Sequence, residues 1–76
     1  MDSLPTEGHR AIQILRLPAV CWATGVGRSM VYQLEASSQF PRRVKIGARA
    51  VGWIEQEVQL WLADRVTRSR MQNAAI

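Results

Sequence analysis

The sequence predicts a small α+β domain of about three helices with a short antiparallel sheet, and three observations carry this prediction. Two short helical patterns flank a glycine-containing turn between residues 20 and 34. A stretch of alternating charged and apolar residues follows them and predicts a β-hairpin. A final amphipathic stretch, which opens with acidic residues, predicts the last helix.

The chain of 76 residues leaves room for one domain with an economical core. We predict a flexible polar tail over 1–10, the domain over 11–67, and a flexible tail over 68–76, where no apolar pattern is sustained. Residues 13–17 alternate enough to form a short strand. Such a strand can pair with the hairpin and complete a three-stranded sheet.

The first helical pattern ends at a glycine corner. Val20 and Ala23 are spaced to face a partner helix, Gly25 ends the pattern, and Val26 fills the corner between the two helices.

The second helical pattern, over residues 28–37, has two unlike faces. Val31 and Leu34 lie three residues apart and form an apolar stripe. The other stripe carries hydrogen-bond donors suited to base edges and phosphates, namely Arg28, Ser29, Tyr32 and Gln33. Together the two patterns predict a helix-turn-helix, although they are also typical of a helical hairpin in any small helical domain.

The segment after these helices favours the DNA-binding interpretation. Phe40 and Pro41 end the second helix, residues 42–46 alternate as a strand, and residues 51–54 return after a turn over 47–50. The hairpin carries four cations within eight residues, Arg42, Arg43, Lys45 and Arg49. A basic hairpin beside a helix-turn-helix predicts a wing, and hence a winged helix-turn-helix in which these cations contact DNA.

The last helix is predicted from Glu55 to about Thr67, as a brace behind the other elements. Trp22 is left out of the predicted core, because its position on the first helix suits solvent or a partner subunit equally well. The predicted core draws on every element and comprises Leu15, Leu17, Val20, Ala23, Val26, Val31, Leu34, Phe40, Val44, Ile46, Trp53, Val58, Trp61 and Leu62.

Two motifs make the chain resemble the AlpA family of prophage regulatory proteins. They read L-x-x-V-C-x-x-T-G-V-x-R-S-x-V-Y-x-L from Leu17 and F-P-R-R-V-K-I-G-x-R-A-V-G-W-x-E-x-E-V-x-x-W-L from Phe40, within a likeness of about fifty of the 76 residues. The resemblance implies a winged-helix regulator, related to excisionases and MerR-type activators, that is encoded on a prophage or integrated element. It also implies that the family's functional positions carry over here: Arg28, Ser29 and Tyr32 in the recognition helix, Arg42, Lys45, Gly47 and Arg49 in the wing, and Trp53, Glu57, Val58, Trp61 and Leu62 in packing. Gly27 departs from the family's frequent serine, a better helix cap, and Ile54 from a frequent basic residue.

Charge and cysteine content point the same way. Ten Lys and Arg against six Asp and Glu give a net charge of +4, which suits a polyanionic partner such as double-stranded DNA. The single cysteine permits no intrachain disulfide, and no apolar run approaches the length of a membrane span. We therefore expect a cytoplasmic protein with no membrane partner.

Catalytic, metal and cofactor sites are not expected. His9 and Cys21 are the only His and Cys and lie in separate environments, so they make no metal site. Glu55 and Glu57 are two apart on a helix and face different directions, which disfavours acid–base work. The segment 25–27 lacks the lysine and spacing of a phosphate loop.

Three functions stay open at this point. The first, which we favour, is a sequence-specific regulator of transcription with its recognition helix in the major groove. The second is an excision factor that bends attachment-site DNA for an integrase. The third is a protein-interaction module that docks through the hairpin and Trp22. An integrase, RNA polymerase or further copies of the chain on DNA are the partners that the first two imply.

Overall fold

A computed structural model describes residues 11–74 as three helices and three short strands. In chain order they are β1 (Ile14–Leu15), α1 (Leu17–Thr24), α2 (Arg28–Ala36), β2 (Val44–Gly47), β3 (Ala50–Ile54) and α3 (Glu55–Ala74). This arrangement confirms the predicted α+β class with three helices and a small sheet. The predicted N-terminal tail and residues 75–76 lie outside the described residues.

The sheet is antiparallel, with the strand order β1-β3-β2. Ile14 pairs with Ile54 on one side of β3, and Val44 pairs with Gly52 on the other. The predicted pairing of the first strand with the hairpin is therefore confirmed. That strand is shorter than the predicted 13–17, because Leu17 and Pro18 already form the first turn of α1, where proline is well tolerated.

Gly52 permits the close approach of β1 to β3. A Cβ built on Gly52 would lie 2.9 Å from the backbone oxygen of Leu15 and would clash with Cγ2 of Ile14. Any side chain at this position would push β1 away from the sheet, so the strand order depends on a glycine here.

The turn between α1 and α2 is fixed by Gly25 and Thr24. Gly25 adopts a left-handed conformation with φ of 74°, and its N–H donates to the carbonyl of Cys21 at 2.9 Å. The Thr24 hydroxyl donates to the carbonyl of Val20 at 2.7 Å and accepts the N–H of Val26 at 3.2 Å. The glycine corner of the predicted helix-turn-helix is therefore confirmed, and Thr24 holds it together.

A left-handed residue also follows the C-terminus of α2, but here it is a serine and not a glycine. Ser38 has φ of 62° and donates its N–H to the carbonyl of Glu35, while Gln39 donates to the carbonyl of Leu34 at 2.7 Å. This is a Schellman motif, in which glycine is the usual residue at the position of Ser38.

The core is small and lies where the sheet meets the three helices. Among residues 11–74, five hydrophobic side chains are buried, namely Val20, Val31, Phe40, Trp53 and Val58, and Leu15, Leu17, Cys21, Val26, Leu34, Trp61 and Leu62 pack around them half-buried. Two predicted core positions are wrong, and a third, Val44, is half-buried but lies outside this cluster. Ala23 is exposed because the packed side of α1 runs through Leu17, Val20 and Cys21, and Ile46 is exposed because it lies on β2, an edge strand.

The last helix is longer than predicted. The predicted end near Thr67 is wrong, and residues 68–74 of the predicted tail continue α3 as far as Ala74. The apolar pattern is not sustained over 68–74, but arginine, methionine and glutamine favour a helix without burial, and Arg68 pairs with Asp64 one turn earlier at 3.0 Å.

Candidate nucleic-acid interface

The helix α2 presents its polar side chains to solvent on one side. Arg28, Ser29, Tyr32 and Gln33, which we name the reading face, are all exposed, whereas Val31 on the opposite side is fully buried. Their spacing brings the four side chains onto one arc of the helix. Gly27 caps this helix from an extended conformation, with φ of −74° and no side-chain hydrogen bond.

The hairpin of β2 and β3 forms the wing. Lys45 lies exposed on β2, and Arg49 lies in the two-residue turn between the strands. Arg42 is exposed just before β2 begins at Val44. Arg49 thus lies at the tip of the wing, Lys45 along one strand and Arg42 at the base.

Arg43 differs from the other wing cations because Glu35 engages it. Its backbone N–H donates to Oε2 of Glu35 at 2.8 Å, and its Nε donates to Oε1 at 3.0 Å. The same Nε also donates to Oε2 at 3.1 Å, and a guanidinium amine is a third donor to this carboxylate. The predicted strand 42–46 begins only at Val44, because the N–H of Arg43 is committed to this carboxylate.

The Arg43 guanidinium also contacts two aromatic rings. It lies 5.1 Å from the ring centre of Tyr32 on the reading face and 5.8 Å from that of the buried Trp53. The side-chain hydrogen bonds from Arg43 hold the pKa of Glu35 below its ordinary value of 4.5, and Glu35 in turn raises the pKa of Arg43. At neutral pH this is a charged pair, with 10% of the Glu35 side chain exposed.

A shallow open groove of about 360 Å³ joins the reading face to the base of the wing. Its lining residues come from α2 and from the segment leading into β2, and they are Tyr32, Glu35, Ala36, Ser38, Arg42 and Arg43. The structure therefore brings together one predicted recognition-helix residue, Tyr32, and two predicted wing residues, Arg42 and Arg43.

The last helix braces the segment between α2 and the wing. Nε1 of Trp61 donates to the carbonyl of Gln39 at 2.7 Å, and the Trp61 ring meets Phe40 edge-on with centres 4.9 Å apart. The Arg65 guanidinium covers the same indole at 4.6 Å. The predicted brace is thereby confirmed, and it fixes the base of the wing against α3.

Sequence reasoning missed Glu35 as a residue of this surface. Its only sequence signal is an acidic residue on a helix otherwise assigned to face DNA, eight positions before an arginine. Cys21 is a free thiol packed half-buried against the core, and His9 lies outside the described residues. Over residues 11–74, no three potential metal ligands cluster, and no helix has the length and apolar character needed to cross a bilayer.

Trp22 is the most exposed of the large apolar side chains in the part of the chain that the structure describes. It is 91% exposed on the outer side of α1. This places the indole on the surface of the single chain, a position that both alternatives, solvent and a partner subunit, share.

Comparison with known proteins gives three results. The model of a family described as "Prophage CP4-57 regulatory protein (AlpA)" matches residues 13–66. The chain is 39% identical over 65 residues to the DNA-binding transcriptional activator AlpA of Escherichia coli K12, which covers 78% of this chain and 93% of that protein. It is 37% identical over 54 residues to the uncharacterized protein ORF88 of Enterobacteria phage P4, covering 71% of this chain and 61% of that protein. No solved structure is significantly similar to the chain.

Proposed function

We propose that this chain, which belongs to the AlpA family of prophage regulatory proteins, is a sequence-specific DNA-binding regulator of transcription. It acts by binding, without catalysis. The observation that carries the proposal is the groove that joins Tyr32 of the reading face to Arg42 of the wing. A surface with polar donors on a helix and cations on an adjoining hairpin matches the groove and flanking phosphates of a duplex.

The dimensions of α2 support insertion into the major groove. Its nine residues span about 14 Å at about 1.5 Å per residue, close to the groove width of about 12 Å. In this arrangement Arg28, Ser29, Tyr32 and Gln33 contact base edges. Arg42, Lys45 and Arg49 contact phosphates or enter the minor groove.

One short reading helix contacts only a few base pairs, which limits the specificity of a single copy. We therefore propose that further copies of the chain bind neighbouring sites. An integrase or RNA polymerase is the proposed protein partner on that DNA, according to whether the bound site is an attachment site or a promoter.

The test begins with selection of duplexes from a random pool by the full chain, followed by affinity measurements on the selected duplex and on a scrambled one. Arg28→Ala is expected to weaken the selected duplex about 10- to 100-fold, as the loss of one base contact does, and the scrambled duplex far less. Met30→Ala is the matched control, because Met30 is exposed on the same helix outside the reading face. Equal losses on both duplexes for Arg28→Ala would contradict base reading by this residue.

Salt dependence separates DNA binding from docking onto a protein. Several phosphate contacts make the logarithm of the binding constant fall with the logarithm of salt concentration, by about 0.9 per contact. A binding constant for duplex DNA that does not change with salt concentration would favour the protein-interaction module instead.

A further inference from the structure

Glu35 is an unexpected residue on a helix proposed to approach a polyanion. It lies on α2, lines the groove beside Arg42, and keeps its side chain 90% out of solvent. A bare carboxylate at this place would repel phosphates and would be costly to bury. Its charge is met by Arg43 through the backbone N–H and the guanidinium together.

The Arg43 guanidinium links three parts of the molecule. One edge of it is used by the Glu35 carboxylate on α2, and its plane lies near the rings of Tyr32 on the reading face and Trp53 on β3. The backbone of Arg43 is the segment that leads directly into β2. The recognition helix, the wing and the core are therefore connected through one side chain.

We propose that Glu35 and Arg43 are positioning residues, which fix the angle between the reading face and the wing and hold the Tyr32 ring in place. On this proposal Arg42, and not Arg43, makes the phosphate contact at the base of the wing. The inference rests on the proposed DNA-binding function and assigns the parts that its residues play.

The alternative, in which Arg43 turns outward to a phosphate, carries a specific cost. Its fork of donors would have to leave a carboxylate that is 10% exposed, and that carboxylate would then stand unpaired beside the DNA backbone. Arg42 carries no such commitment, because its side chain is exposed and makes no ion pair among the described residues. The adjacent arginines thus have different environments.

The two arginines form a matched pair of variants for the test. Arg42→Ala is expected to reduce the salt dependence by about 0.9 in the logarithmic slope and to weaken selected and scrambled duplexes alike. Arg43→Ala is expected to leave that slope unchanged, because it removes no phosphate contact, and to lower the preference for the selected over the scrambled duplex about 10-fold. The Glu35 carboxylate that it leaves unpaired weakens binding to both duplexes alike. A fall in the slope for Arg43→Ala equal to that for Arg42→Ala would overturn the inference.

Glu35→Gln distinguishes positioning from simple charge. The variant adds one unit of positive charge, so a purely electrostatic role predicts tighter binding to both duplexes. Positioning predicts weaker binding to the selected duplex, by about the same factor as Arg43→Ala. The double variant Glu35→Gln/Arg43→Ala is then expected to lose no more than either single variant, since both remove the same interaction. Additive losses, or tighter binding by Glu35→Gln, would count against it.

Arg43→Lys keeps the test sound if Arg43→Ala fails to fold, as judged by circular dichroism and thermal melting. Lysine keeps the charge but lacks the planar fork, so it is expected to retain the salt slope and to lose preference for the selected duplex. A wild-type chain that binds no duplex would overturn the proposed function and this inference together. If the wild type binds DNA and Arg43→Lys keeps the full wild-type preference for the selected duplex, the inference is overturned and the proposed function is not.

Discussion

The two sides of α2 differ in what they contact, although they share one backbone of nine residues. On the inner side Val31 is fully buried and Leu34 packs half-buried against the core. On the outer side the reading face is exposed to solvent. Glu35 lies at the border, where its pair with Arg43 connects the helix to the wing. Stability and the proposed DNA recognition are therefore carried by different residues of one short helix.

Replacement of a buried residue is the largest expected effect and tests this separation directly. Val31→Ala removes fully buried methyl groups and is expected to lower the free energy of unfolding by about 2 kcal/mol. Gln33→Ala, on the exposed side of the same helix, is expected to change it by less than about 0.5 kcal/mol. Urea denaturation of both variants measures the difference. Similar losses for the two variants would show that the two sides of α2 contribute equally to stability.

Acidification tests the border residue. Because Arg43 lowers the pKa of folded Glu35 below 4.5, the unfolded chain binds the proton more readily, and the pair stabilises the fold above that value. This stabilisation is expected to disappear as the pH falls through the lowered pKa. Wild type should therefore exceed Glu35→Gln in melting temperature at pH 7, and the gap should narrow as the pH falls below 4.5. A gap that stays constant with pH would show that the Glu35 charge contributes nothing.

Replacement of the serine that follows α2 is expected to give a smaller change, a gain in stability. Ser38→Gly relieves a left-handed conformation that costs an L-residue about 1–2 kcal/mol, and glycine gives back about 0.5–1 kcal/mol in chain entropy. We expect a net stabilisation of about 0.5 kcal/mol by thermal unfolding. Ser37→Gly is the matched control, since Ser37 has φ of −95° and no strain to relieve. Its stability should fall, and a gain in both variants would refute this account.

The start of α2 is expected to give the smallest effect. Gly27→Ser places an oxygen where it can accept a backbone N–H of the first turn, and a Cβ at this position meets nothing within 4 Å. Stability should rise by a few tenths of a kcal/mol. Gly27→Ala adds the Cβ without the oxygen, so an equal gain from alanine would show that capping is not the cause.

Local patterns in the sequence were sufficient to predict α2, the glycine corner and the wing. Val31 and Leu34 define the inner side of α2 by their spacing, and Gly25 marks a left-handed turn that other residues rarely adopt. The family resemblance is likewise confirmed by the match over residues 13–66. The assignment of individual residues to DNA contacts stays a prediction.

Features that depend on distant partners could not be predicted in this way. The pair of Glu35 and Arg43 joins a helix to a loop, and no local pattern encodes it. Ile46 follows the alternation of a strand, yet that strand lies at the edge of the sheet and the Ile46 side chain is 46% exposed. The C-terminal part of α3 is helical without an apolar pattern, so the periodicity that marks buried helices ended too early.

The close approach of β1 to Gly52 also bears on the order in which the strands pair during folding. The α1–α2 corner and the β2–β3 ribbon each form between residues close in sequence. By contrast, β1 pairs with β3, which follows both α1 and α2 in the chain. Closing that long loop costs more chain entropy, so β1 should pair with β3 last, after the β2–β3 ribbon has formed. A bulkier residue at 52 leaves no room for β1, so such a variant is expected to keep the β2–β3 ribbon but to expose the sheet edge where β1 had paired.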